Sequence, residues 1–363
     1  MRQTAGVPAL VASSRDVDRA VAALRAGGLV GLPTETVYGL GADAENPAAV
    51  ARVYATKGRP ADHPLIVHVR DAAALDGWVG AMPGYALRLA HALWPGPLTL
   101  VVPRGPRARD HVTGGQDTVG LRAPDHPVAQ AVLAGFGGGV AAPSANRFGR
   151  VSPTTAAHVL EELGSALVEG LDVVLDGGAS RVGLESTILD CTGERPVVLR
   201  PGAIGPAQVT EAGGVEVKPP PARPTGIRAP GTLPAHYAPA ATVLVAADAV
   251  EAAALLAAGV RDAQPDGSPL GGLLAPAGVR TPDRVVRLAE PDDDSAYAHA
   301  LYRALREADA LGLARVVVVP PAGPGPLAAA IADRLRRAAA GSGGFAGSGG
   351  AGPNGDGSPV GAA

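Results

Sequence analysis

Leu29-Val30-Gly31-Leu32-Pro33-Thr34-Glu35-Thr36-Val37-Tyr38-Gly39-Leu40-Gly41 is a short apolar run that leads straight into two hydroxyls, a carboxylate and a phenol. Residues 29–32 read as a buried strand, and the polar cluster then stands where the chain leaves a sheet. Upstream, Val17, Ala20, Val21 and Leu24 recur at helical spacing until Gly27-Gly28, so a helix feeds that strand. Downstream, Asn46-Pro47 caps a second helix with Val50, Val53 and Tyr54 on one face, and residues 64–69 resume strand character. Apolar runs at 98–102, 119–123, 173–175, 186–189 and 197–199 follow, separated by helical patterns at 85–93, 128–136 and 154–163, the last capped by Ser152-Pro153. This alternation predicts an α/β domain over residues 1–212.

Composition changes at Val217-Lys218-Pro219-Pro220-Pro221, and Pro and Gly punctuate the chain as far as Pro239. Residues 213–240 therefore read as an ordered or semi-rigid linker. Beyond it, strand-like runs at 242–246, 273–274, 285–288 and 316–319 alternate with helical patterns at 248–258, at Tyr297, Leu301 and Leu305, and at Leu327, Ile331 and Leu335. That predicts a smaller α/β domain over 241–340. Residues 341–363 are Gly- and Ser-rich and are expected to be disordered. Gly347, Gly349 and Gly352 there have the spacing of a dinucleotide fingerprint, but no strand precedes them and no helix follows.

A chain of 363 residues exceeds one core and suits two, and 47% hydrophobic with 18% charged residues supplies the apolar material for both. A formal charge of −3 and 3% aromatic residues disfavour a dedicated nucleic-acid binder. The single cysteine, Cys191, excludes an intramolecular disulfide and a Cys-rich metal site, which points to a reducing compartment. Arg15, Asp16, Asp18 and Arg19 interrupt any signal-peptide pattern, and no later run approaches the roughly 18 apolar residues of a membrane span. The chain reads as cytoplasmic, with no membrane partner.

No Walker A, zinc or kinase signature is present, so a nucleotide site must be built from polar residues at strand ends, where ligands bind in open α/β sheets. The 33–41 segment is one candidate. Lys57-Gly58-Arg59-Pro60 is a second: of 31 basic residues only Lys57 and Lys218 are lysines, and a compact ammonium can meet a phosphate as a point charge. Stabilisation of a helix C-terminus explains the same residues structurally. His63 and His68 follow, His68 within an apolar strand where a core histidine is the competing reading. Thr118 and Arg122 bracket another strand; a buried guanidinium there needs a carboxylate or phosphate partner. Ala142-Pro143-Ser144-Ala145-Asn146 and Ser152-Pro153-Thr154 offer backbone N–H groups and hydroxyls to an anion, although capping alone accounts for Ser152. Glu185-Ser186-Thr187, Arg200-Pro201-Gly202 and His236-Tyr237 complete the set.

Together these segments resemble the threonylcarbamoyl-AMP synthase family, with its YrdC-type domain, in the long form that carries a C-terminal extra domain. The matching segments run in order through about 240 residues, so each weak signal reinforces the others. The resemblance implies a twisted open mixed sheet with flanking helices and a concave cavity, plus a smaller Rossmann-like α/β domain. It implies a nucleotidyltransferase that joins L-threonine, bicarbonate and ATP with release of pyrophosphate, Mg²⁺ arriving mainly on the ATP phosphates and no organic cofactor. Carried over by position, threonine falls to Thr36, His68, Arg122, Ala142 and Ser186. ATP falls to Lys57, Arg59, His63, Thr118, Ser144, Asn146, Ser152, Arg200 and Tyr237, with Lys57 and Arg59 neutralising phosphate charge. A tRNA-modifying threonylcarbamoyl transferase is the implied downstream partner, and a weak contact with tRNA remains open. A carbamoyltransferase of hydrogenase maturation would need Cys-rich zinc motifs that one cysteine cannot supply. A non-enzymatic RNA-binding or ribosome-associated factor on the same fold remains the alternative. The linker is expected to fold back, with His236-Tyr237 closing over the nucleotide.

Overall fold

The computed structural model of the chain describes residues 9–11, 13–218, 226–258 and 269–343. The tail from residue 344 onward, with its glycine spacing, and Pro219-Pro220-Pro221 lie outside the described residues.

The first part of the chain runs β1 (Ala9–Val11), α1 (Ser14–Arg25), β2 (Val30–Leu32), β3 (Gly39–Asp43), α2 (Pro47–Lys57), β4 (Ile66–His68), α3 (Gly84–Leu93) and β5 (Leu98–Pro103). It continues α4 (Asp110–Thr113), β6 (Thr118–Arg122), α5 (Pro127–Phe136), β7 (Val140–Ala141), α6 (Ala156–Leu163), β8 (Val173–Asp176), β9 (Thr187–Asp190), β10 (Val197–Arg200) and α7 (Pro206–Gly213). Its strands form one ten-stranded mixed sheet in the order β1-β8-β2-β3-β7-β4-β6-β5-β9-β10. After residue 240 come β11 (Thr242–Val245), α8 (Ala249–Ala258), β12 (Gly271–Leu274), β13 (Val285–Ala289), α9 (Asp294–Ala310), β14 (Arg315–Val318) and α10 (Pro326–Gly341). Those four strands make a second, wholly parallel sheet, β11-β14-β12-β13.

Side-chain alternation explains how the large sheet gains two different faces. Leu98, Leu100 and Val102 of β5 enter the main core beside Val67, Leu121 and Leu189 of neighbouring strands, packed against α2 and α3. Val101 points the other way and clusters with Ile66 and Ile188 beneath Ala229 and Ile227, so the segment leading to the second sheet lies on the opposite face. Burying each such aliphatic side chain contributes roughly 1.5–3 kcal/mol.

Two local expectations are corrected. Residues 39–43 form a strand that pairs antiparallel with β2, so Pro33–Tyr38 is a hairpin loop between strands. Ser152 does not cap α6: Thr155 does, its side chain accepting from the His158 N–H at 3.2 Å, while Ser152 turns inward. Asn46 caps α2 as expected, accepting from Ala48 and Ala49.

The two sheets share a hydrophobic core. Val37, Val151 and Leu184 from the first pack with Leu301, Tyr302, Ile331 and Leu335 of α9 and α10, and with Tyr237 between them. Arg150 and Arg306 pair with Asp309 and Glu162 across the join. At Gly183 the two backbones lie close together: a Cβ there would stand 2.6 Å from the Ala298 carbonyl oxygen, and its φ is +80°. Gly183→Ala is expected to lower unfolding free energy by at least about 1–3 kcal/mol from backbone strain alone, measured by denaturant titration. An unchanged midpoint would mean that the two backbones separate without cost.

Candidate functional site

The parallel pair β4 and β6 sets the floor of a deep cleft. His68 and Arg122 are register partners at the carboxyl ends of these strands. Arg122 Nη1 donates to Thr36 Oγ1 at 2.8 Å, and Thr34 Oγ1, 2.9 Å from Thr36 Oγ1, braces the loop by donating to the Val37 carbonyl. Arg122 Nη2 lies 2.7 Å from Glu35 Oε1, close enough for an ion pair, yet neither atom is aligned for a hydrogen bond. Ala142 and Ser144 form the adjoining wall beyond β7, bridged back to Gly39. Across the cleft, Ser186 Oγ is 2.7 Å from Thr99 Oγ1, and Arg200 donates through Nε and Nη2 to the Ser186 carbonyl at 3.1 and 2.9 Å.

The segment from 226 onward roofs this space. Arg200 Nη1 reaches the Pro230 carbonyl at 2.9 Å, and Pro230, Gly231, His236 and Tyr237 line a cavity of about 540 Å³, its open mouth included. Tyr237 is buried with φ +63°, a left-handed backbone that side chains rarely adopt, so the turn aiming its ring inward is held by its surroundings.

Of the residues expected at the site, Thr36, Arg59, His68, Arg122, Ala142, Ser144, Ser186, Arg200 and Tyr237 line this one cavity. Others stand just behind its wall. Lys57 Nζ donates to the carbonyls of Ser144 (2.6 Å) and Asn146, and so holds the loop that carries Ser144. Asn146 Nδ2 is spent on the Arg147 and Arg150 carbonyls, and Ser152 Oγ donates to Glu185 at 2.6 Å. His63 meets Phe148 edge-on at 5.3 Å, while the Arg59 guanidinium covers the same ring at 5.7 Å. Thr118 lines a separate small cavity beneath 228–230.

Sequence reading gave no part to Phe148, Tyr302 or Arg334. Phe148 sits between His63 and His236 and could have been noticed as an aromatic inside a small-residue loop. Tyr302 and Arg334 come from α9 and α10 of the second sheet and have no local signal at all.

Electrostatics follow from burial. Desolvation, reinforced by Arg122, pushes His68 down to about 3, and burial does the same for His236, so both rings are neutral near pH 7. Burial also lowers the Lys57 ammonium well below its ordinary value. Glu185 goes the other way. Desolvation would raise its carboxyl, but Arg334, Arg200 and the Ser152 hydroxyl outweigh burial and hold it at about 2. Buried atoms with no hydrogen-bond partner gather here: Glu35 Oε1 and Oε2, His68 Nδ1, Arg122 Nη2, Asn146 Oδ1, His236 Nδ1 and the Tyr237 hydroxyl. Glu35 Oε1 and Arg122 Nη2 face each other as an ion pair at 2.7 Å; the remaining atoms mark where a polar ligand or water supplies partners, an unmet one costing roughly 1–3 kcal/mol.

Because the Glu185 carboxyl titrates lower in the folded chain than its ordinary 4.5, its contribution to stability is present above about pH 4.5 and is lost as pH falls toward 2. The difference in denaturation midpoint between the wild type and Glu185→Gln should therefore be large at pH 6 and narrow progressively toward pH 3. A difference independent of pH would remove the buried ion pair as its cause.

Comparison with known proteins agrees with this architecture. The family described as "Telomere recombination" matches residues 22–202, and the one described as "Threonylcarbamoyl-AMP synthase, C-terminal domain" matches residues 202–340. Over 338 residues the chain is 38% identical to the threonylcarbamoyl-AMP synthase of Bacillus subtilis, covering 90% of this chain and 93% of that protein. It is 42% identical over 226 residues to that of Pyrococcus abyssi, covering 61% of this chain and 65% of the relative. The crystal structure of P. abyssi Sua5 complexed with L-threonine superposes with a TM-score of 0.81 at 34% identity, covering 91% of this chain and 96% of that one. With both family matches in sequence order and a relative matched over nearly its whole length, the chain belongs to the threonylcarbamoyl-AMP synthase family.

Proposed function

We propose that the chain makes threonylcarbamoyl-AMP and pyrophosphate from L-threonine, bicarbonate and ATP, the activated product serving threonylcarbamoyladenosine modification of tRNA through a downstream transferase. The observation that carries this reading is one cavity lined by three guanidiniums. Arg122, Thr36 and neutral His68 surround a place for an amino acid, and Arg59 and Arg200 bring two further guanidiniums for phosphates to the same cavity. A relative of the same fold has been crystallised with L-threonine.

The Arg122 fork, held by Thr36 at Nη1 and by the Glu35 carboxylate 2.7 Å from Nη2, binds the threonine carboxylate and keeps it away from the nucleotide. Neutral His68 accepts a hydrogen bond through Nδ1 without adding charge. The amine, pointing into the cavity, loses a proton as it captures bicarbonate; water leaves and a carbamate forms. A carbamate oxygen then attacks the α-phosphorus of ATP and the bond to pyrophosphate breaks. No covalent nucleophile is required of the protein, whose part is positioning and charge neutralisation by Arg59 and Arg200. Lys57 serves by fixing the Ser144–Asn146 backbone beside the phosphates. In this reading Mg²⁺ enters with ATP as part of the substrate.

Residues 213–240 then act as a lid between a catalytic unit at 1–212 and a domain at 241–340, with His236 and Tyr237 excluding water from the reacting phosphate. The alternative of an RNA-binding factor is disfavoured by the same roof, because a lidded cavity suits small anions better than a nucleic-acid strand.

Pyrophosphate release from ATP should depend on both threonine and bicarbonate; release indifferent to either would sink the reading. Lys57→Ala and Arg59→Ala should each reduce turnover at least about tenfold, the loss of one charge-assisted contact. Unchanged kinetics in both would leave those residues as helix-end stabilisers. Arg122→Lys should raise the threonine KM well above any change in the ATP KM, because the fork is lost while the charge stays. Equal changes in both constants would move Arg122 to the phosphate end.

A further inference from the structure

Glu185 lines the cavity, yet most of what holds it comes from the second domain. Arg334 of α10, fully buried, donates through Nε to Glu185 Oε2 at 2.8 Å, and Tyr302 of α9 donates to both carboxylate oxygens at 2.9 and 3.1 Å. The other side of the carboxylate accepts from Ser152, which precedes α6 in the first domain. Arg334 has further partners: Nη2 donates to the Pro201 carbonyl at 3.0 Å, next to Arg200, and the guanidinium lies 5.3 Å from the Tyr237 ring centroid. Asp333, which accepts from Arg334 Nη1 at 2.7 Å and from Arg337 Nε at 2.9 Å, fixes the orientation of the fork. Arg337 in turn donates to the Leu233 carbonyl, and its own carbonyl accepts from the His236 N–H at 3.2 Å.

We propose that Arg334, with Tyr302, is a positioning residue for the nucleotide end of the site, through which the second domain sets Glu185, Arg200 and the Tyr237 lid in one geometry. The placement of Arg334 carries this. One rigid fork touches the carboxylate behind Ser152, the backbone beside Arg200 and the face of the lid tyrosine, while Thr36 and Arg122 are held by bonds of their own. A planar guanidinium donates from three nitrogens spread over a rigid fork, whereas an ammonium donates from a single atom and cannot reach acceptors so far apart. Both ionised groups are also favoured in place: Arg334 is pushed well above its ordinary value and Glu185 is held low. The proposal rests on the reading of the site as a threonylcarbamoyl-AMP synthase.

The test compares wild type, Arg334→Lys and Tyr302→Phe in the full chain, measuring KM for ATP and for threonine by pyrophosphate release, together with thermal midpoints. Arg334→Lys should raise the ATP KM by about tenfold, and Tyr302→Phe, which removes one hydroxyl, by about threefold, with the threonine KM nearly unchanged in both. Should Arg334→Lys fail to fold, Tyr302→Phe decides alone. Guanidinium ion at millimolar concentration should restore ATP affinity to folded Arg334→Ala, and urea should not. Lowered midpoints with both KM values unchanged, or equal increases in the two, would overturn the proposal and leave Arg334 as a structural ion pair. A wild-type chain that releases no threonine-dependent pyrophosphate would instead fail the functional reading on which the proposal stands.

Discussion

A carboxylate buried between two domains must be paired or protonated, and Glu185 is paired from both sides. Ser152 reaches it from the first domain, Tyr302 and Arg334 from the second. Removing one partner of such a buried pair costs about 3–5 kcal/mol, because the other charge is left in a medium that cannot solvate it. The two sheets are therefore joined by a constraint that tolerates little displacement. The cavity wall, Tyr237 and the strand end bearing Arg200 all take their positions relative to it.

What the fold provides around that constraint is a container lined by three arginines. Parallel β4 and β6 place His68 and Arg122 side by side, and the hairpin loop at 33–38 brings Thr36 to the same point. Arg59 and Arg200 come from a helix end and a strand end elsewhere in the sheet. Polar atoms around the cavity such as His68 Nδ1 and the Tyr237 hydroxyl lack a protein partner, so they are open to a ligand or to water. The burial that keeps His68 and His236 neutral leaves the arginines as the charges lining the cavity in the working pH range, apart from paired Glu185.

Much of this could be read from residues alone, because strands and helices announce themselves by period. The runs at 98–102 and 119–123 and the Asn46-Pro47 cap appear where their patterns place them. Strand β3 was missed because Gly39-Leu40-Gly41-Ala42-Asp43 holds no β-branched or aromatic residue; pairing with β2 and β7 makes it a strand. Pro153 makes a helix cap the competing reading of Ser152, but a buried carboxylate 33 residues away claims its hydroxyl. Arg334 lies in a stretch with Arg336 and Arg337 that looks like a solvated helix face, and its partner is 149 residues distant. Contacts of that range leave no mark on local spacing, so the cavity-lining residues of the first domain are more legible than the contribution of the second domain.

The arrangement of Arg122 against Arg59 and Arg200 makes a claim about connectivity: the carboxylate of threonine is held apart while its nitrogen, through a newly added carbon, is joined to the phosphate. The most direct test is mass spectrometry of the nucleotide product formed from ATP, threonine and ¹³C-bicarbonate. The account predicts an adenylate that contains threonine and one labelled carbon and is absent when bicarbonate is withheld. An adenylate of threonine lacking the labelled carbon, or AMP alone, would contradict it.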